Sequence, residues 1–449
     1  MKIRKKVLTT VLATIMGLSM VACSSTGKDK SSDEKTKSNE IAIKITKPVE
    51  VEFWHAMSGS NEEALKKIVS DFESKNENIK IKLVFQGNYR ELFDKLMAAA
   101  KGKTLPTMAQ IYSNRLSWYV EKDLVENLNP YIENKEIGLS EEDMKDIPKL
   151  FFEDGKWDNK QYAMPFNKSQ MLLYYNEDML NEAGVEVPTT WEEWKEASKK
   201  LTVDKDGDGT PEIYGTVFEN GISTDIAPWV KQSGGEIIDE ENDKINFNTP
   251  ETKEAVGFIN SMIQDKIARL AGEDKNSNIP FNQGKAAFCV ASTSAIPFIK
   301  DGIQEGTKWF AAPLPGNKTN DQLYYGTNVT AFNTGEVEEK LAAWLFMKHL
   351  SSTEVTAEFA QNTGYLPVRY SAQETPEYKK FLEENPINGV ALKSFDVGFQ
   401  GARNVGEINA LDALGEELDL LFSGKKSIDD ALKDAQSKGE SAMAEARKN

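Results

Sequence analysis

Histidine and cysteine are almost absent from this 449-residue chain, with two of each. Only His55 and His349 are available as imidazoles, and no HExxH, GxSxG or P-loop pattern accompanies them. The commoner zinc-hydrolase, serine-hydrolase and nucleotide chemistries therefore lack their residues. His349 falls on a helical stretch, Val337 to Leu350, and reads as structural. Two cysteines, Cys23 and Cys289, make no disulfide framework. Cys289 lies in the apolar run Ala286 to Ala291 and reads as a buried free thiol that packs as a small hydrophobe. Basic residues are outnumbered: 54 Lys and Arg against 71 Asp and Glu give a formal net charge of −17. Phosphate contacts along a nucleic acid need a basic surface, so a nucleic-acid binder is excluded. No internal repeat is evident. Carboxylates are plentiful, so a glycan-degrading enzyme stays open on pattern alone; it would need two of them facing one cleft.

What is there begins with the N-terminus. Lys2, Arg4, Lys5 and Lys6 form a basic region, followed by the apolar run Val7 to Val21 and then Ala22-Cys23. This is the pattern of a secretory signal peptide. "SMVAC" resembles the bacterial lipobox, which implies cleavage after residue 22 and lipidation of Cys23; Met20 departs from the usual leucine. The alternative is a plain cleaved signal or a membrane anchor, for which the run is short. Ser24 to Glu40 is rich in Ser, Lys, Asp and Thr and has almost no apolar residue, so residues 23–47 are expected to be a disordered tether.

A prior of about 150 residues per domain allows two or three units in the rest. Val49 to His55 and Ile79 to Phe85 alternate as strands, and Met108 to Tyr112 makes a third. Between them Asn61 to Phe72 and Tyr89 to Ala100 have helical spacing. Strands alternating with helices imply a largely parallel sheet covered on both faces, with ligands at the carboxyl ends of the strands. Those ends are His55 to Gly59, Gln86 to Tyr89 and Tyr112 to Asn114. In mid-chain the polar stretch Phe166 to Gln170, expected to be a loop, feeds the apolar run Met171 to Tyr175, expected to be a buried strand. That strand is either a crossover between two lobes or an ordinary member of one domain. Asn176 should cap a helix stopped by Gly184, and Trp191 to Leu201 should form another. Later helices are expected at Ile226 to Gln232, Pro250 to Lys266, Val337 to Leu350, Thr353 to Gln361, Glu377 to Glu384, Glu407 to Phe422 and Ser427 to Arg447. Strands are expected at Ala286 to Ala291, Trp309 to Leu314 and Tyr324 to Asn333.

The segment Asp204-Lys205-Asp206-Gly207-Asp208-Gly209-Thr210-Pro211-Glu212 matches the first half of an EF-hand-type loop. Carboxylates stand at positions 1, 3 and 5 and glycine at 6. Asp204, Asp206, Asp208, Thr210 and Glu212 are thus candidate ligands for a structural calcium ion. Gly215 at position 12 removes the bidentate glutamate, and an acidic turn capping its own backbone is the alternative.

The stretch "PFNKSQMLLYYNEDMLNEAGVEVPTTWEEW" resembles the signature region of the family 1 extracellular solute-binding proteins of ABC importers. "VEFWHAMSG", "FQGNY", "PTMAQIYSN", "TGYLPVR" and "LFSGKKSIDDALKDA" are similar to its glycerol-3-phosphate-binding branch. The resemblance implies an α/β, two-lobed periplasmic-binding-protein-like fold with a hinge, a central ligand cleft and a helical C-terminal portion. Lobe 1 would take residues 48–165, lobe 2 mainly 166–325, and 326–449 would return to lobe 1 with C-terminal helices partly shared with lobe 2. It also implies a lipid-anchored, monomeric, non-catalytic protein on the extracytoplasmic face of the membrane. Such a protein delivers a sugar, polyol or glycerol phosphate to ABC permease subunits.

Carried over by motif, the family's ligand positions fall on Tyr89, Ser169, Trp229, Ser292 and Tyr365. Three positions depart from the branch. Ser113 stands for a glutamate that holds glycerol hydroxyls, Thr327 for a glycine, and Leu411 for the arginine that meets the phosphate. A buried phosphate needs several charge-assisted donors, so Lys168 and Arg403 are candidate replacement cations; the alternative for both is a solvated surface charge. The hydroxyls of Ser292 to Ser294 either cap the following helix, expected to begin at Ala295, or face an anion. Among the aromatics, Trp54 and Tyr325 read as core, whereas Tyr89 and Tyr365, beside Gly87 and Gly364, read as ligand contacts. A glycan-degrading enzyme and a surface lipoprotein that binds a protein or polymer are the competing readings.

Overall fold

The computed structural model describes residues 41–448. The expected signal peptide, Cys23 and residues 24–40 of the tether lie outside the described residues. The end of the expected tether is corrected. Ile41, Ala42 and Ile45 pack against the first core, and the Thr46 amide donates to Glu338 at 2.9 Å. Three apolar side chains in five residues suffice to bring this stretch onto the protein.

The first strands follow their alternation. β1 (Val49–His55) and β2 (Ile79–Phe85) pair in parallel, and β3 (Met108–Ile111) joins the other side of β1. Val49, Val51, Phe53 and His55 point inward from β1 and meet the buried face of the helix Val337–Leu350. Helix α1 (Ser60–Lys75) buries Leu65, Ile68, Val69 and Phe72 at its helical period. Helix α2 (Tyr89–Gly102) starts from a capping box in which Asn88 accepts from the Glu91 amide and Glu91 reaches back. His349 packs between Phe72 and Phe346, and its pKa is lowered mainly by burial, as a structural imidazole requires.

The central strand differs from its expectation. It runs unbroken from Ala163 to Asn176, so the polar stretch Phe166 to Gln170 is strand, not loop. The reason is its two sets of partners. Its first half pairs with the return strand Gln322–Ala331, and its second half with Ala286–Ser292 and Trp309–Pro313. One sheet therefore crosses the molecule. Its order is Ala268–Leu270, Tyr214–Phe218, Ala286–Ser292, the crossover strand, the return strand, β3, β1 and β2. At the middle the register shifts between Gly326 and Asn328. Gly326 has φ +108°, and a Cβ there would sit 2.0 Å from the Asn167 carbonyl oxygen, so the two strands approach closely only because the residue is glycine.

The second half has its own core. Trp191–Leu201, which starts from a Thr190/Glu193 capping box, packs with Pro250–Gln264, Glu407–Phe422 and Ile428–Ala446 around Trp194, Phe218, Ile259 and Leu414. The helix after Ser292 is also corrected. A 3-10 turn, Thr293–Ala295, precedes Ile296–Gly302, and none of the three hydroxyls makes a capping bond.

Where the crossover strand is polar it is also sealed. The Lys168 ammonium is fully buried and sits 2.6 Å from the Asp154 carboxylate. Asn328 donates to the same carboxylate at 2.9 Å and to Ser113 at 3.1 Å. Burial pushes the Asp154 carboxyl up, but Lys168, Ser113 and Asn328 together hold it below the usual carboxylate range. Lys168→Met is expected to cost about 3–5 kcal/mol in urea denaturation, because it strands a buried carboxylate. The double variant Lys168→Met/Asp154→Leu should recover at least half of that loss. Equal losses in both would show that the pair does not act as a unit.

Candidate functional site

Two of the three expected strand ends reach one cleft, through Tyr89 and through Tyr112, Ser113 and Asn114, whereas His55 to Gly59 does not line it. From β2 the chain passes through Gly87, with φ +93°, into the start of α2 and presents Tyr89. From β3 it presents Tyr112 and Ser113, and from Tyr214–Phe218 it presents Glu219. The cleft has an outer part of about 580 Å³ and an inner chamber of about 260 Å³. Tyr89, Tyr112, Asp225, Tyr325 and Gly326 line both, so the two parts share a wall.

Tyr89 and Tyr365 come together from distant parts of the chain, with hydroxyls 3.4 Å apart. Asn167 on the crossover strand donates to the Tyr89 hydroxyl at 2.9 Å, and the Tyr89 and Tyr112 rings lie 5.2 Å apart. Tyr365 is delivered by the left-handed Gly364, which ends the helix Thr353–Thr363. Leu366 then bonds to the Lys168 carbonyl at 2.7 Å, which ties this turn to the crossover strand. Ser169 and Ser292 also line the inner chamber, and Ser292 Oγ lies 2.6 Å from Ser294 Oγ. Ser113 lines the outer part. Five of the nine candidates thus share one cavity system: Tyr89, Ser113, Ser169, Ser292 and Tyr365.

The other four are corrected. Trp229 is buried in the second core against Phe218, because the helix Ala227–Gln232 turns its indole away from the cleft. Thr327 lies beneath the floor, fully buried, and bonds to Gln110 and Asn167. Lys168 is consumed by Asp154. Arg403 pairs with Glu240 at 2.8 Å, donates to the carbonyls of Glu153 and Lys156, and covers the Trp157 ring. Neither of these cations is left for a phosphate. Tyr325, which reads as core in the sequence, instead lines both parts of the cleft. Trp54 donates its indole N–H to Glu52 at 2.7 Å and packs beside the first half's core.

Three carboxyls and one guanidinium in the cleft had no signal in the sequence. Burial pushes the Asp225 carboxyl up to about 7, with Glu219 adding to the effect and the Tyr325 hydroxyl opposing it. Burial raises Glu219 as well, against two bonds from Ser277. Glu407 is pushed up to about 7 by burial, although Asn114 donates to it at 2.5 Å and Arg115 lies near. Arg115 lines the outer part with its guanidinium 5.6 Å from the Phe93 ring centre. Burial lowers its pKa, while Asp412 and Glu407 favour its charge.

The family model described as bacterial extracellular solute-binding protein matches residues 67–385. This chain belongs to that family. It is a solute-binding protein of an ABC importer and not an enzyme. The sn-glycerol-3-phosphate-binding periplasmic protein UgpB of Rhizobium meliloti is 26% identical over 431 residues, which cover 91% of this chain and 97% of that protein. Among solved structures, an ABC substrate-binding protein of Listeria monocytogenes in complex with cycloalternan has a TM-score of 0.78 at 22% identity, covering 88% of this chain and 99% of its own. UgpB of Mycobacterium tuberculosis in complex with glycerophosphocholine also has a TM-score of 0.78, at 21% identity and the same coverage. The two-lobed α/β binding-protein fold follows from these likenesses. Among the described residues no helix is long and apolar enough to cross a membrane.

Away from the cleft, Asp204, Asp206 and Asp208 are exposed and their carboxylate oxygens converge within 4.8 Å. Both Asp204 oxygens accept backbone amides, from Gly207 at 2.8 Å and Gly209 at 2.9 Å. Asp206 and Asp208 each accept one, from Asp208 at 3.0 Å and Thr210 at 2.7 Å. Glu212 accepts from the Lys205 amide at 2.7 Å.

Glu407 gives a test with a definite sign. Its carboxyl is raised in the folded protein, so it costs nothing below the ordinary carboxylate range. The penalty grows as pH rises toward 7, where the unfolded chain is ionised and the native group is not, and is complete above that. Glu407→Gln keeps an acceptor for Asn114 and removes the penalty. It is expected to stabilise the protein by up to about 3 kcal/mol at pH 8 and by almost nothing at pH 4. A gain independent of pH in parallel denaturation curves would contradict this assignment.

Proposed function

We propose that this protein captures a neutral or cationic polyhydroxylated solute, a sugar or polyol, between its two lobes and hands it to a membrane permease. The observation that carries this is the lining of the cleft. Tyr89, Tyr112, Tyr325 and Tyr365 offer ring faces for the C–H surfaces of a sugar, while Asn167 and the serines offer partners for its hydroxyls. The charge balance disfavours a phosphate monoester. Asp225, Glu236, Glu407 and Asp412 stand in the outer part against Arg90, Arg115 and Lys231. Arg90 is 3.4 Å from Asp412, and Arg115 is flanked by carboxyls. A dianion would need several uncommitted donors. Lipidation of Cys23, anchoring to the outer face of the membrane and a monomeric state complete the proposal; the motif "SMVAC" supports the first two.

Titration calorimetry with neutral oligosaccharides and polyols tests the capture. A bound sugar should lose about tenfold to a hundredfold in affinity in Tyr89→Ala and in Tyr365→Ala, with urea midpoints close to that of the unaltered protein. Unchanged affinity in the folded double variant would move the site elsewhere.

The convergence of Asp204, Asp206 and Asp208 supports a second proposal, a structural calcium ion that Thr210 and Glu212 would help to hold. Calcium added to chelator-treated protein should then raise Tm by several degrees, and Asp206→Asn should abolish the shift. An absent shift would leave the backbone amides as the only partners of these carboxylates.

A further inference from the structure

The inner chamber has a composition unlike that of the outer part. Its lining contains Glu219 and Asp225 and no lysine, arginine or histidine. Neither carboxyl has an ion-pair partner among the described residues. Glu219 is held by the Ser277 amide and hydroxyl at 3.0 and 2.6 Å, and Asp225 faces the Tyr325 hydroxyl. Tyr89, Tyr112, Tyr325 and Tyr365 complete the walls, and the electron-rich faces of such rings attract a cation. Ser169, Ser292 and Ser294 add oxygen acceptors on the side of the crossover strand and the strand Ala286–Ser292. Two carboxyls that no basic side chain compensates stand among four phenol rings, and a cation entering there takes the place of the proton that burial keeps on Asp225.

We propose that the inner chamber receives a protonated amino group carried on the polyhydroxylated solute, so that the ligand is an amino-sugar-like cation. This inference rests on the capture of a polyhydroxylated solute in the same cleft. Asp225 and Glu219 accept N–H bonds and supply the counter-charge, and the tyrosine rings enclose the ammonium. The sugar body extends past Gly326 into the outer part, where Asn114, Ser113 and Tyr324 line the wall. The hydroxyl and carboxyl acceptors favour a primary ammonium, which donates three hydrogen bonds, over a quaternary one, which donates none.

The experiment compares solutes that differ only in this charge. Calorimetry of the protein with the glucosamine disaccharide and with its N,N′-diacetyl counterpart, at pH 6 and low salt, should show the amine bound at least thirtyfold tighter. In Asp225→Asn and Glu219→Gln, each checked for an unshifted urea midpoint, that ratio should fall to within about threefold. Equal binding of the two disaccharides, or tighter binding of the acetylated one, overturns the inference and leaves sugar capture standing. A choline-bearing solute bound more tightly than the amine overturns the primary-amine assignment. Binding of no saccharide at all overturns both readings together.

Discussion

A buried charge pair at the centre of the sheet constrains everything around it. Lys168 and Asp154 are 2.6 Å apart, 0% and 5% exposed, and lie where the crossover and return strands exchange one set of neighbours for another. An ammonium that far from water is tolerable only with its carboxylate and the remaining lone pairs satisfied, which Asn328 and Ser113 do. The pair therefore fixes the side chains flanking it. Asn167, one residue before Lys168, is held by Gln110 at 3.0 Å and in turn positions Tyr89. Ser169, one residue after it, faces the chamber. The polar middle of a long strand thus becomes the floor of the binding cleft.

The same arrangement leaves a place where the chain could bend. Two strands and an apolar cluster around Phe151, Leu172, Tyr174, Phe281 and Leu366 join halves that otherwise keep separate cores. The bulge at Gly326 and the irregular register beside it form a natural place to absorb a small change in φ and ψ. Across the cleft mouth, Asn114 bonds to Glu407 and Arg90 approaches Asp412. These contacts are few and partly exposed, so they bias the lobes weakly; under the proposed capture, a solute touching both halves would supply the differential affinity that favours closure.

Much of the scaffold was legible because local signals agree with the tertiary structure. β1 and β2 match their alternating patterns at both ends, and Asn176 and Gly184 cap and stop the helix between them as their positions imply. The crossover strand was legible only in its apolar half. A run such as Asn-Lys-Ser-Gln reads as loop until its partners on both sides are known. Motif matching placed Tyr89 and Tyr365 usefully, since both follow glycines that set the backbone at strand and helix ends. It failed for Trp229, whose residue type suits a core as well as a sugar, and for Lys168 and Arg403, whose charges are spent on Asp154 and Glu240. Glu219, Asp225 and Glu407 carried no signal among 71 acidic residues; long-range folding alone brings these three into the cleft.

The central claim is that this cleft has no place for a dianionic phosphate, although the protein is similar in sequence to proteins named for binding one. Calorimetric titration of the protein with sn-glycerol 3-phosphate at low salt and pH 7 tests it most directly. The account predicts heats no larger than those of dilution up to about 1 mM, a free energy of binding weaker than about −4 kcal/mol. Saturable binding with a Kd at or below about 10 µM would contradict it. In that case Arg115 would be the cation that takes the phosphate.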